Sequence, residues 1–98
     1  MNEKKWYLYI LQCNDGSYYT GITNDVIERV IEHNQGKGSD YTRRRRPVAL
    51  RFWHEYPNKS EARQQEILVK KWNKIKKQKL IEGSLRLPLD YARDKRSG

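Results

Sequence analysis

Cysteine is almost absent from this 98-residue chain: Cys13 is the only one, so no intramolecular disulfide can form. A lone thiol is in keeping with a reducing compartment, and its place at the end of an apolar run marks Cys13 as a small hydrophobe rather than a nucleophile. With one cysteine and two histidines the chain has no Cys/His cluster of the kind that holds structural zinc. No apolar run approaches the ~20 residues that span a bilayer, so no membrane partner is expected. The start Met1-Asn2-Glu3-Lys4-Lys5 leads into a strand-like segment rather than a signal peptide, and the expected location is cytoplasmic. The length leaves room for one domain with a modest core, and no internal repeat divides it.

Acidic charge is scarce as well. Twelve Asp and Glu face twenty-one Lys and Arg, a net charge of +9 that points to polyanionic partners. The basic residues are clustered in Arg43-Arg44-Arg45-Arg46 and in the run containing Lys70, Lys71 and Lys74. Such clusters suit a phosphate-tracking surface, with affinity that is salt-dependent and nearly blind to sequence.

Aromatic and β-branched residues from Trp6 to Cys13, the turn signal Asn14-Asp15-Gly16 and a second short run, Ser17 to Gly21, predict a β-hairpin. Its register decides what the tyrosines can do. A two-residue loop at Asp15-Gly16 sets Tyr9 opposite Ile22 and sends Tyr19 to the other face. A three-residue loop with a left-handed Gly16 sets Tyr9 opposite Gly21 and Leu11 opposite Tyr19, with both phenols on one face. A helix follows, capped by Asn24 and stopped at Asn34-Gln35-Gly36, with Val26, Ile27, Val30 and Ile31 at helical spacing. Arg29 and His33 share a face of it.

Gly36 to Pro47 reads as a loop, and Val48 to His54 as a third strand. A long helix capped by Asn58 or Ser60 is expected to run to about Leu80, with Ala62, Leu68, Val69, Trp72 and Ile75 on one arc and Glu66 at its edge. The fold class is α+β: a small antiparallel three-stranded sheet flanked by helices in the order β-β-α-β-α. The domain is expected to occupy residues 1–81, and 82–98 to form a flexible tail.

The ordered set Tyr7-Leu8-Tyr9, Tyr19-Thr20-Gly21, Arg29 eight residues later, His33, and Glu66 at the end of Ser60-Glu61-Ala62-Arg63-Gln64-Gln65-Glu66 resembles the GIY-YIG nuclease superfamily. The likeness covers Trp6 to Ile81 and is nearest to the small single-domain bacterial branch. It implies hydrolysis of phosphodiester bonds in nucleic acid, DNA rather than RNA, selective for structure rather than sequence. It implies a catalytic set of Tyr9, Tyr19, Arg29 and His33, in which one phenol takes the proton of the attacking water. The same likeness makes Arg29 the stabiliser of the phosphate's developing charge, and Glu66 the protein ligand of one divalent ion, Mg²⁺ or Mn²⁺. Tyr41 matches an aromatic position near the cleft. No small-molecule cofactor is implied. The chain is expected to act as a monomer, with a protein partner supplying recruitment.

The sequence departs from the pattern twice. Many relatives carry an asparagine beyond the glutamate helix, where this chain has only Asn73, expected inside the helix, and some have a lysine where Ile22-Thr23 stands. A different class of function, a non-catalytic DNA- or RNA-binding module that keeps the fold, accounts for the basic surface equally well. A ribosome- or RNA-associated basic protein is a third.

Overall fold

The computed structural model describes residues 4–88. Strands β1 (Trp6–Gln12) and β2 (Tyr18–Thr23) form the hairpin. Gly16 N–H donates to the Cys13 carbonyl at 2.9 Å, Cys13 N–H to Ser17 at 2.8 Å, and Gly16 has φ of 87°. This is the three-residue loop, a turn whose last residue must be left-handed and therefore glycine. The Asp15 carboxylate accepts from the Ser17 amide and hydroxyl, closing the tip. The resulting register pairs Tyr9 with Gly21 and Leu11 with Tyr19, so both phenols stand on one face.

After helix α1 (Val26–Asn34) and a short helix α2 (Asp40–Arg43), strand β3 (Ala49–Tyr56) pairs antiparallel with the free edge of β1, giving the order β2-β1-β3. The register slips between Ile10, opposite Phe52, and Leu11, opposite Leu50. Arg51 is thus extra. A regular strand would aim Leu50 and Phe52 at the same side, whereas the bulge lets each enter a different core.

Two cores lie on the two faces. Leu8, Ile10 and Tyr56 meet Ala62 and Val69 of α3 (Lys59–Lys70), Leu80 of α4 (Lys74–Glu82), and Leu87. On the other face Tyr9, Leu11, Cys13 and Val48 are packed by Tyr19, Leu50 and Val30 of α1. A central strand covered on both sides explains the continuous apolar run of β1.

Several expectations need correction. The cap of α1 is Asp25, which accepts from the Glu28 amide, and not Asn24; Thr23 Oγ1 accepts from the Asp25 amide and shifts the start by one residue. The 36–47 segment is not all loop, because Ser39 accepts from the Thr42 amide and nucleates α2. The long helix ends at Lys70. Asn73 accepts from the Lys76 amide and caps α4, so it lies at a helix start and not inside a helix. The break turns Leu80 into the core, leaves Leu68 and Ile75 exposed, and makes Ala62, Gln65, Glu66 and Val69 the buried stripe of α3. Asn58 caps α3 as expected. The packed unit also extends past residue 81: Glu82 closes α4 and Leu87 is 4% exposed. Residues 89–98 of the expected tail lie outside the described residues. Among the described residues no helix is long and apolar enough to cross a membrane.

Candidate active site

The site begins with Tyr9, in the middle of the central strand and 1% exposed. Its hydroxyl crosses Gly21 of the edge strand, where any Cβ would come within 2.6 Å of Oη. Glycine at this position is therefore a space requirement, and it lets the phenol lie across the edge strand β2. Tyr9 Oη lies 2.9 Å from His33 Nε2, and His33 Nδ1 lies 2.7 Å from Thr42 Oγ1. Burial pushes the Tyr9 phenol up to about 12; Arg29 opposes the shift, while Tyr19 and Glu66 add to it. The carboxylate from the far helix and the phenol from β1 thus feel one another.

His33 has no exposed surface, and burial, reinforced by Arg29 against Glu32, lowers it to about 4. It is a neutral imidazole at pH 7. Gly38 lies flat on the ring: a Cβ there would stand 2.1 Å from Nδ1. The Arg29 guanidinium pairs with Glu32 at 2.8 Å and donates to the Gly38 carbonyl at 3.3 Å, and the first of these holds its pKa above the usual value.

Tyr19 is half-buried and is the more accessible of the two phenols. Its ring centre lies 6.4 Å from Tyr9, 5.1 Å from His33 edge-on and 6.1 Å from Tyr41, on which it stacks. Arg45 covers Tyr41 at 3.8 Å. Five of the expected residues, Tyr9, Tyr19, Arg29, His33 and Tyr41, therefore form one cluster on the α1 face. Glu66 stands on α3, and its link to the cluster is its charge, which adds to the rise of the Tyr9 phenol. It is buried, with only 5% exposed, on the stripe of the helix rather than at the edge, and is paired with Arg63 at 3.5 Å and Lys70 at 3.3 Å.

Among the described residues no three His, Cys, Asp or Glu side chains group in a way that could cage an ion. The donor chemistry of Glu66 does fit a hard cation that keeps most of its waters. It is one buried carboxylate, and its present partners are two long, half-exposed basic chains held at loose distances, which an ion could displace.

The expected nucleic-acid surface divides. Arg45 is engaged by Asp15 at 3.0 Å and by the Tyr41 carbonyl, Arg43 by Asp40, and Arg46 by the carbonyls of Arg43 and Asn34. These three arginines brace the 36–47 segment. Arg44 and Lys71 are exposed, Lys70 pairs with Glu66, and Lys74 Nζ approaches Gly16 of the hairpin turn.

Sequence reasoning missed Glu32, Gly38, Ser39 and Thr42. Ser39 and Thr42 carried a signal, a capping serine three residues before a residue it can bind, directly after Gly36-Lys37-Gly38.

The profile of the GIY-YIG catalytic domain matches residues 5–79. A UPF0213 protein of Bacillus pumilus is 49% identical over 83 residues, 84% of either chain. One from Halobacterium salinarum is 46% identical over 75 residues, 76% of this chain and 97% of that one. Two solution NMR structures are similar. The UPF0213 protein of Bacillus halodurans shares 45% identity with a TM-score of 0.52, over 80% of this chain and 83% of that one. A protein of E. faecalis shares 36% with a TM-score of 0.57, over 84% and 88%. A catalytic-domain profile spanning both motif strands, Arg29 and Glu66, together with these small relatives, shows that the chain belongs to the GIY-YIG family, among its UPF0213 proteins.

Proposed function

We propose that this chain is a divalent-metal-dependent phosphodiesterase that cleaves nucleic acid, DNA in preference to RNA, choosing targets by structure rather than sequence. The observation that carries the reading is the cluster itself: two phenols and an imidazole within contact of one another, with the Arg29 guanidinium beside Tyr9. Nothing about a stable core calls for gathering that combination, and attack on a phosphate does.

Tyr9 stays neutral near pH 7 and is enclosed, so its part is to orient. Tyr19, which solvent reaches and to which it gives up its own proton, receives as phenolate the proton of the attacking water. A phenol acting as base near neutrality needs positive charge beside it, and Arg29 belongs to the same cluster. The planar Arg29 fork binds a non-bridging phosphate oxygen as negative charge grows there, exchanging its contact with Glu32 for one with substrate. Mg²⁺ or Mn²⁺, held by Glu66, would act as Lewis acid on the phosphate and the leaving oxygen. Arg44, Lys71 and Lys74 track the backbone, and the chain works in the cytoplasm as a monomer brought to its target by a protein partner.

A metal-stimulated nicking assay on flapped, branched, nicked and linear DNA tests this. Arg29→Ala should lower the rate by about two to three orders of magnitude, the usual loss of ~3–4 kcal/mol for one transition-state contact, with a modest loss of affinity. One observation favours the second reading, a binding module without catalysis: Glu32 already neutralises Arg29 at 2.8 Å. If the unaltered chain cleaves none of these substrates with either metal while binding them, that second reading replaces the first.

A further inference from the structure

The buried hydrogen bonds around His33 admit one self-consistent direction. Tyr9 is 1% exposed, and its Oη has His33 Nε2 at hydrogen-bond distance, at 2.9 Å. The Arg29 guanidinium, which also interacts with the phenol, can only donate. The phenol proton must therefore go to His33, and Nε2 must be bare. A neutral imidazole with a bare Nε2 carries its proton on Nδ1, so Nδ1–H donates to Thr42 Oγ1 at 2.7 Å. The Thr42 hydroxyl proton, not needed at His33, is free to be donated to Ser39, whose carbonyl lies at 3.4 Å and whose hydroxyl lies at 3.0 Å. The opposite setting, with Nε2–H donating to Tyr9, would strand the phenol proton in a buried place facing a cation, where an unmade hydrogen bond is expensive.

Resting on the proposed activity, we infer that Thr42 is a positioning residue: by accepting from Nδ1 it fixes the tautomer of His33, which turns the Tyr9 hydroxyl proton inward and leaves the phenol oxygen to accept from Arg29. One direction of donation then runs from Arg29 through Tyr9, His33 and Thr42 to Ser39. The guanidinium that meets the phosphate is thereby held from α2, by residues that touch neither substrate nor metal. Gly38 belongs to the same device, since its missing side chain lets the backbone close over the ring and its carbonyl accepts from Arg29.

The test has two arms. Long-range ¹H–¹⁵N correlation of the imidazoles in unligated protein reports which His33 nitrogen carries the proton: Nδ1 is expected in the wild type and in Thr42→Ser, and Nε2 in Thr42→Val, which offers no acceptor. Cleavage kinetics should show kcat about tenfold to a hundredfold lower for Thr42→Val with KM nearly unchanged, and recovery in Thr42→Ser. A wild-type His33 protonated on Nε2, or a Thr42→Val protein with unaltered tautomer or unaltered kcat, would overturn the inference. Should the wild type cleave nothing, the proposed activity falls. The imidazole spectra still decide the direction of the chain of hydrogen bonds.

Discussion

On the α3 side of the sheet Leu8 and Ile10 meet Ala62, Val69, Leu80 and Leu87, a cluster that is aliphatic apart from Tyr56. On the α1 side the same central strand adds to an apolar cluster of Leu11, Cys13 and Val48 the phenol of Tyr9, which is bonded to His33, itself held by Thr42 and the backbone of Gly38. The first face gains stability from area removed from water, which is non-directional and tolerant of shape. The second is held by a few directed bonds between buried polar atoms, where each missing partner leaves an orphan. A small domain with limited core can spend one face of its sheet on such a network only if the other face supplies most of the stability.

The largest expected effect falls on the aliphatic face. Ile10→Ala should lose about 2–5 kcal/mol through lost burial and a residual cavity, a large part of the ~5–15 kcal/mol that a domain of this size has. Chemical denaturation should show a much lower midpoint, with any cleavage falling only as the folded fraction falls. Loss of activity in fully folded Ile10→Ala protein would break the division between the faces.

A second effect is a pH dependence confined to the polar face. His33 has a folded pKa of about 4, below its ordinary value of 6.5, so the unfolded chain binds the proton more tightly than the native one. Stability is therefore complete above about pH 6.5 and declines as the pH falls towards 4, by about 1.4 kcal/mol for each unit of depression. Denaturation midpoints measured between pH 4 and 7 should drop more steeply for the wild type than for His33→Asn. Parallel curves would mean that His33 is not held neutral by its surroundings.

Smaller again should be Gly38→Ala, in which the new methyl meets the buried imidazole and not the end of a flexible chain. Overpacking of this kind costs about 1–3 kcal/mol. Cleavage should fall further than the loss of stability explains, because the ring that moves is the one bonded to Tyr9. Wild-type rates in folded Gly38→Ala protein would show that the ring position does not matter to the chemistry.

What was legible in the sequence follows the same division. The hairpin register came down to one glycine that tolerates positive φ, and a central strand buried on both faces announced itself as an unbroken apolar run. Helix α1 misled because its apolar periodicity selects Ile27 and Ile31. Ile27 is 75% exposed, whereas the fully buried residue of the helix is a histidine, which hydropathy assigns to solvent. Glu66 misled in its placement alone: charge suggested the edge of the apolar arc, whereas the side chain is 5% exposed on the buried stripe of α3, and three of the four arginines also fasten the loop that carries them. The break between α3 and α4 lies in Lys71-Trp72-Asn73, with no Gly or Pro, and only the capping ability of Asn73 marks it. Polar groups are buried where specific partners exist, and partners distant in sequence cannot be read from periodicity.

The most direct test of the central claim, that groups from both faces serve one phosphate, is Mg²⁺- or Mn²⁺-dependent cleavage by Glu66→Gln protein measured beside its DNA affinity. The substitution preserves size and removes the charge that would hold the metal. Cleavage should collapse by two orders of magnitude or more, by the ~3–4 kcal/mol scale of such contacts, while affinity stays the same or rises slightly as one negative charge leaves. Wild-type cleavage by purified Glu66→Gln protein, with contaminating nuclease excluded, would contradict the account.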